Sequence, residues 1–339
     1  WSDDKILKRH HENISEEMGD KDGVLIFDES GFVKKGDDSA GVSRQYCGSI
    51  GKVENCQVGV FAAYASRHGY TLIDDQLFIP QKWFEESHEE RREKCGFPED
   101  LSFRTKPQIA AEMFRKIRED QILPFKYVAA DSVYTNSEDF LEAVENIPGV
   151  VYFLAIPSDT LFWFHEPVVT EKQFKHKGVI RSRKVVNKKE KVPVRVDNFA
   201  KDLKDYFWYR RTVAEGTKGP NDYEFTKRRV TLCKKGMPDR NVWLIIRRTV
   251  GKNPEYSFFI SNAPRSTKLS TFVWLSGIRW AIEQCFEETK TELGMDHYEV
   301  RKYGGWHHHI LTCMLAHFFL WHLKIRLGEK ITSHYAVAA

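Results

Sequence analysis

Residues 279–310 read RWAIEQCFEETKTELGMDHYEVRKYGGWHHHI. With the apolar residues upstream, the spacing predicts one long helix over 268–293 and a second over 305–325. At about 100° per residue, Arg279, Glu283 and Lys290 fall near 0°, 40° and 20°, along one stripe about three turns long. An Arg-to-Glu pair four residues apart is common on a solvated face. Here Trp280, Ile282, Phe286 and Leu293 spread round the helix and mark it as largely packed. Charges on a packed helix need partners.

Two carboxylates upstream offer themselves. The short apolar run VLIFD (24–28) suits a strand buried on both faces and ends in Asp28. The run KYVAAD (126–131) does the same and ends in Asp131. If these strands are parallel neighbours, both carboxylates meet at one edge of the sheet, where open α/β sheets place their ligands. Either Asp alone is more often a turn residue than a ligand.

The rest of the pattern fits an α/β core. Strands are expected at 57–66 and 70–79 around an Arg67-His68-Gly69 hairpin turn, and at 150–156. Helices are expected at 107–121, opening on Pro107, and at 137–146. Residues 157–262 differ: they are basic, aromatic and rich in β-formers, as in 229–233, 242–247 and 256–260. The expected division is 1–22 as the remnant of an N-terminal region, 23–156 as the first part of the core, 157–262 as a β-rich basic insertion, and 263–339 as helices completing the core.

Bulk properties narrow the function. With 52 Lys and Arg against 48 Asp and Glu, the net charge is only +4, a weak pointer to a polyanion. The distribution is more telling: Glu171 to Arg195 holds ten Lys or Arg against two Glu. Within it Lys184, Lys188 and Lys189 are candidate phosphate contacts, a solvated loop being the plain alternative. No apolar run is long enough to span a membrane. The six cysteines lack any two-residue spacing, so free thiols in a reducing cytoplasm are expected.

The three motifs together resemble those of insertion-sequence transposases of the DDE superfamily, in the branch with a Tyr-x2-Arg-x3-Glu-x6-Lys signature. Arg279, Glu283 and Lys290 match that spacing, while Ser276 stands at the Tyr position. FDESGFVKKG is similar to the first-Asp motif and AADSVY to the second. The resemblance covers about residues 24–325. It implies an RNase H-like fold, a mixed sheet flanked by helices, with a β-rich insertion before the helix that carries the Glu. It implies that Asp28, Asp131 and Glu283 are catalytic and ligate two Mg2+ or Mn2+ ions. Such hard ions favour oxygen ligands. Arg279 and Lys290 are then expected on phosphates beside the metals. The implied partners are double-stranded DNA, both transposon ends and target, and a second copy of the chain on that DNA. The insertion would help hold the ends. Little apolar material precedes Asp28, so this chain alone is expected to bind DNA with weak sequence preference.

Other signals weigh less. Asp74-Asp75 matches neither motif, and Glu287 is a rival to Glu283 one turn away. His307, His308 and His309 point in different directions on a helix. Gly48-Ser49-Ile50-Gly51-Lys52 lacks the remainder of a phosphate loop. Trp163, Trp208 and Trp243 fit core packing better than base stacking. The competing functions are a transposase-derived DNA-binding protein without catalysis, another RNase H-like nuclease and, more distantly, a metal-dependent phosphatase.

Overall fold

The computed structural model describes residues 3–145, 147–176, 179–187, 190, 192–216 and 219–327. The chain divides into two compact units, Trp1–Val151 with Leu275–Ala339, and Tyr152–Trp274. The second unit begins five residues before and ends twelve residues after the insertion drawn at 157–262 on the sequence.

The first unit opens with α1 (Asp3–Met18), followed by β1 (Val24–Val33), β2 (Ser43–Cys47), β3 (Lys52–Ser66) and β4 (Gly69–Phe78). Next come α2 (Glu89–Cys95), α3 (Lys106–Asp120), β5 (Tyr127–Ala130), α4 (Ser132–Thr135) and α5 (Glu138–Glu145). Strand β3 pairs antiparallel with β1, β2 and β4, while β5 pairs parallel with β1. The result is a mixed sheet with β1 between an antiparallel and a parallel neighbour, the strand pattern that the RNase H-like expectation requires.

Local sequence explains these elements. Val24 to Phe27 are fully buried, as a strand covered on both faces must be. Phe27 meets Phe114 of α3 and Phe140 of α5 at ring distances of 6.3 and 5.5 Å. Helix α3 starts where Pro107 predicts, behind a capping box made by Thr105 and Gln108. Strand β1 continues five residues beyond Asp28, because β3 goes on pairing with it as far as Val33 opposite Cys56. Asp28 is therefore mid-strand and not at a strand end.

Helix α1 is the element least visible in the sequence. Leu7, His10, His11, Ile14 and Met18 form its buried stripe at helical spacing. His10 Nε2 donates to Leu72 O at 2.9 Å and His11 Nε2 to Ile73 O at 2.7 Å, so two histidines dock the helix on β4. Residues 3–18 thus belong to the core and are more than a remnant.

The second unit takes in most of β6 (Val151–Ala155) and then β7 (Leu161–Trp163), β8 (Val169–His176), β9 (Val179–Val186), β10 (Val194–Arg195) and α6 (Val196–Asp202). It continues with β11 (Tyr209–Gly216), β12 (Gly219–Lys234), β13 (Met237–Thr249) and β14 (Tyr256–Ser261). β12 and β13 form a long hairpin turned by Lys235 and Gly236, both with positive φ, as a two-residue turn that matches strand twist requires. β7 and β11 flank β12, β14 flanks β13, and β6 pairs with β14. β8 and β9 stand apart as a two-stranded ribbon.

The chain then forms α7 (Leu269–Ile278), α8 (Ala281–Leu293) and α9 (Tyr303–Arg326). The single helix expected over 268–293 is thus two helices. The break follows Ser276-Gly277, a pair that favours kinks, and the Trp280 N–H bonds to Gly277 O at 3.0 Å in a tightened turn. Gly294, left-handed at φ 65°, caps α8 with its N–H on Thr289 O.

Candidate active site

Parallel register brings the two aspartates together. Phe27 pairs with Ala130, and Asp28 and Asp131 are the next residue on each segment. Asp28 also lies opposite Phe61 of β3, so the two side chains share a face of the sheet. Phe61 packs on Phe286 of α8 with 5.1 Å between rings. Asp28 is thereby aimed at the face that α8 covers, while Phe27 takes the opposite one.

From α8 and the turn before it come the third acid and the basic group. Glu283 is in the first turn, where a negative charge suits the helix dipole, and it is exposed. Arg279, in the turn just before α8, reaches Glu283 Oε1 at 3.4 Å, a long and weak contact. Its charge also acts on Asp28. Burial pushes the Asp28 carboxyl up to about 7; Arg279 opposes this, while Glu29 and Asp131 add to it. Arg279 therefore contacts Glu283 while its charge also acts on Asp28. Lys290 has other company: its Nζ donates to Gly31 O on β1 at 2.9 Å and lies 4.9 Å from the Phe32 ring centroid. Burial lowers its pKa. Ser276, at the signature's Tyr position, is buried.

A second layer of side chains lies beside the two aspartates. Glu29, next to Asp28, accepts from Lys106 Nζ at 2.9 Å on Oε1 and from Tyr134 Oη at 3.0 Å on Oε2. Tyr134 is three residues beyond Asp131 and fully buried, and that burial holds its hydroxyl protonated. One carboxylate thus ties the segment after Asp28 to the segment after Asp131. Only its place beside Asp28 could have signalled it.

A divalent cation is the group the resemblance implies. The state of Asp28 tests the fit: two acids crowd it and one arginine offsets them. Oxygen-only donors with excess negative charge suit a hard cation. Asp28 and Asp131 would hold it, with the loosely held Glu283 as the third oxygen donor. Among the described residues no three metal-binding side chains are already closed into a cage. Glu283 would have to exchange Arg279 for the ion.

A sequence profile described as DDE superfamily endonuclease matches residues 1–220, well over half of the chain. The chain belongs to this family. The matched segment includes Asp28 and Asp131 and stops short of Glu283. Among curated proteins the chain is similar to a probable transposase for insertion sequence element IS701 from Microchaete diplosiphon, 26% identical over 307 residues. That alignment takes in 89% of this chain and 66% of the relative, so the chain spans just under two thirds of the relative's length. A solved chain in the cryo-EM structure of the piggyBac transposase synaptic complex with hairpin DNA is a distant neighbour. It has a TM-score of 0.41 and 10% identity, over 92% of this chain and 50% of that one.

The remaining signals find ordinary places in this DDE-family chain. Asp75 accepts from His307 Nδ1 at 2.8 Å, His308 contacts Asp3 at 3.0 Å, and His309 reaches Met295 O at 3.3 Å. The three histidines serve three different partners. Glu287 is exposed, while Glu288 bonds Tyr70 and His317. Trp163 and Trp208 are buried, and Trp243 donates to Pro264 O at 3.2 Å. All six cysteines are free thiols. Lys184 is exposed on β9, opposite Glu171 of β8. Lys188 and Lys189 lie outside the described residues. Among the described residues no helix is long and apolar enough to cross a membrane.

Proposed function

We propose that this chain is the catalytic part of a DNA transposase that hydrolyses phosphodiester bonds at the ends of an insertion sequence and joins the freed ends to target DNA. The observation that carries the proposal is the side-by-side placing of Asp28 on β1 and Asp131 just past the parallel β5, with the Arg279 charge acting on Asp28 and its guanidinium reaching Glu283. The family assignment supports the endonuclease part. The transposase relative supports the joining part.

In this reading Asp28, Asp131 and Glu283 are the ligands of two Mg2+ or Mn2+ ions. Such a pair, when bound, activates the attacking oxygen and stabilises the leaving oxygen of an in-line displacement. The chain's own residues do the positioning. Glu29, fixed by Lys106 and Tyr134, ties the backbone just after Asp28 to the backbone just after Asp131. Arg279 is partly buried and its contact with Glu283 is weak, so it is available to a phosphate oxygen. Lys290 Nζ donates to Gly31 O and so clamps α8 to β1, which leaves Arg279 as the first candidate for the phosphate. Water attacks first and leaves a 3′-hydroxyl; that hydroxyl then attacks a second phosphodiester. No protein nucleophile is needed. Joining two ends calls for two such sites, hence a homodimer on DNA.

The test is incubation with duplex carrying the element's ends and Mg2+, with strand-specific mapping of products. New 3′-hydroxyls at the element boundary support the reading. DNA binding without any cleavage would favour a transposase-derived binding protein instead.

A further inference from the structure

The ribbon of β8 and β9 has no core of its own. Its eight residue pairs run from Val169 opposite Val186 to His176 opposite Val179. Residues 170–175 and 179–184 are all exposed. Isolated two-stranded hairpins are at best marginally stable in water. This one leaves Val179 56% and Ile180 70% exposed. Such a ribbon is suited to being covered by a partner.

Its two faces differ in charge. Strand alternation and register put Lys172 opposite Arg183, and Phe174 opposite Arg181, on one face. Glu171 opposite Lys184, Gln173 opposite Ser182, and Lys175 opposite Ile180 make up the other. The second face carries an acid to offset its lysines. The first carries none, and it sets two cations directly across from one another, an arrangement that costs stability. Among the described residues no carboxylate pairs with Lys172, Arg181 or Arg183. The Arg183 guanidinium lies 5.4 Å from the Phe174 ring centroid, which holds its plane in place.

We propose that the face carrying Lys172, Phe174, Arg181 and Arg183 enters the major groove of duplex DNA and reads base edges there. The inference rests on the reading above that this chain acts on DNA. Charge complementarity selects a polyanion, and shape selects the groove. A B-DNA major groove, about 12 Å wide, admits a two-stranded ribbon. The ribbon is roughly 26 Å long at about 3.3 Å per residue. Arg181 and Arg183, two residues apart on one strand, are separated by roughly 7 Å, about two base-pair steps. Arginine at guanine O6 and N7, and Phe against a thymine methyl, are the contacts these side chains make in that groove. Lys172 is the phosphate contact. This exceeds the weak sequence preference expected from the sequence.

The experiment is competition binding of the full chain to end-bearing and scrambled duplexes at one fixed salt concentration. The variants are Arg181→Gln, Arg183→Gln and Lys172→Gln, with Gln173→Ala on the other face as control. The wild type is expected to prefer the end-bearing duplex. Each arginine variant should lose roughly 5- to 100-fold of that preference. Lys172→Gln should weaken both duplexes alike, and Gln173→Ala should change neither. Replacing the end's guanines by 7-deazaguanine, which lacks the N7 acceptor, should weaken the wild type but not the double arginine variant. These side chains are exposed, so melting temperatures should match and misfolding is checked directly. A wild type without preference, or arginine variants that keep it, overturns the inference, whether or not overall affinity falls. Cleavage of end-bearing DNA is scored in parallel. A wild type that cuts normally while the ribbon variants discriminate normally sinks the ribbon alone; one that neither binds nor cuts sinks the function as well.

Discussion

Tyr134 donates its hydroxyl proton to Glu29 Oε2 at 3.0 Å across 105 residues of sequence, and so joins the stretches FDESGFVKKG and AADSVY that carry the two aspartates. Groups that orient metal ligands typically cost about 10–100-fold in metal affinity or activity when removed. Tyr134→Phe keeps the ring and removes the donor. Cleavage is expected to fall within that range and to need more Mg2+ for half-maximal rate, with DNA affinity unchanged. A metal titration of the cleavage rate checks it; an unaltered titration curve would make the bond merely structural.

Arg279 and Lys290 share a helix stripe on paper and part company in the fold. Arg279 faces the acids, and Lys290 is spent on Gly31 O. Arg279→Ala should lower the slope of log affinity against log salt by roughly 0.9, the loss of one duplex phosphate contact. Lys290→Ala should leave the slope alone and cost about 1 kcal/mol of stability through the lost hydrogen bond to Gly31 O, which keeps the Ser49 hydroxyl as a donor. Salt-dependent binding and urea unfolding separate the two outcomes, and a reduced slope for Lys290→Ala would return it to the phosphates.

Two buried groups pull the pH dependence of stability in opposite directions. Burial pushes His10 down to about 4, from an ordinary value of 6.5. Its contribution is therefore complete above pH 6.5 and is lost as pH falls toward 4. Burial, with Asp75 beside it and Lys116 opposing, pushes Asp74 up to about 7 from 3.8. Its contribution is complete below 3.8 and is lost as pH rises through 7. Asp28, also pushed up to about 7, slopes the same way as Asp74. Asp74→Asn should remove only the share due to Asp74: relative to wild type it should stabilise the protein by at least about 1 kcal/mol at pH 8, a difference that shrinks by about 1.4 kcal/mol per pH unit as pH falls from 7 toward 3.8. Unfolding at pH 4.5, 6 and 8 tests this, and parallel curves for wild type and variant would contradict it.

The sequence made the core and its acids legible because each signal was local. VLIFD and KYVAAD announce buried strands that lead to Asp28 and Asp131, and Arg279, Glu283 and Lys290 carry the signature spacing on twelve consecutive residues. What stayed hidden depends on partners far along the chain. Strand β1 outruns its apolar run because β3 pairs with it beyond Asp28. Glu29 gains its role from Lys106 and Tyr134. Helix α1 escaped notice because His10 and His11 occupy apolar-stripe positions and reveal their purpose only where Leu72 and Ile73 offer carbonyls. The break at Arg279-Trp280 turns on a Ser-Gly pair whose effect packing decides.

The central claim is that Asp28, Asp131 and Glu283 form one centre for DNA cleavage. The most direct measurement is strand-specific cleavage of end-bearing duplex in Mg2+ by the wild type and by Asp28→Ala, Asp131→Ala, Glu283→Ala and Glu287→Ala, with DNA binding measured on the same samples. The account predicts 3′-hydroxyl products from the wild type and Glu287→Ala, and none from the other three, all of them still binding DNA. Normal cleavage by Glu283→Ala beside an inactive Glu287→Ala, or by either aspartate variant, would contradict it.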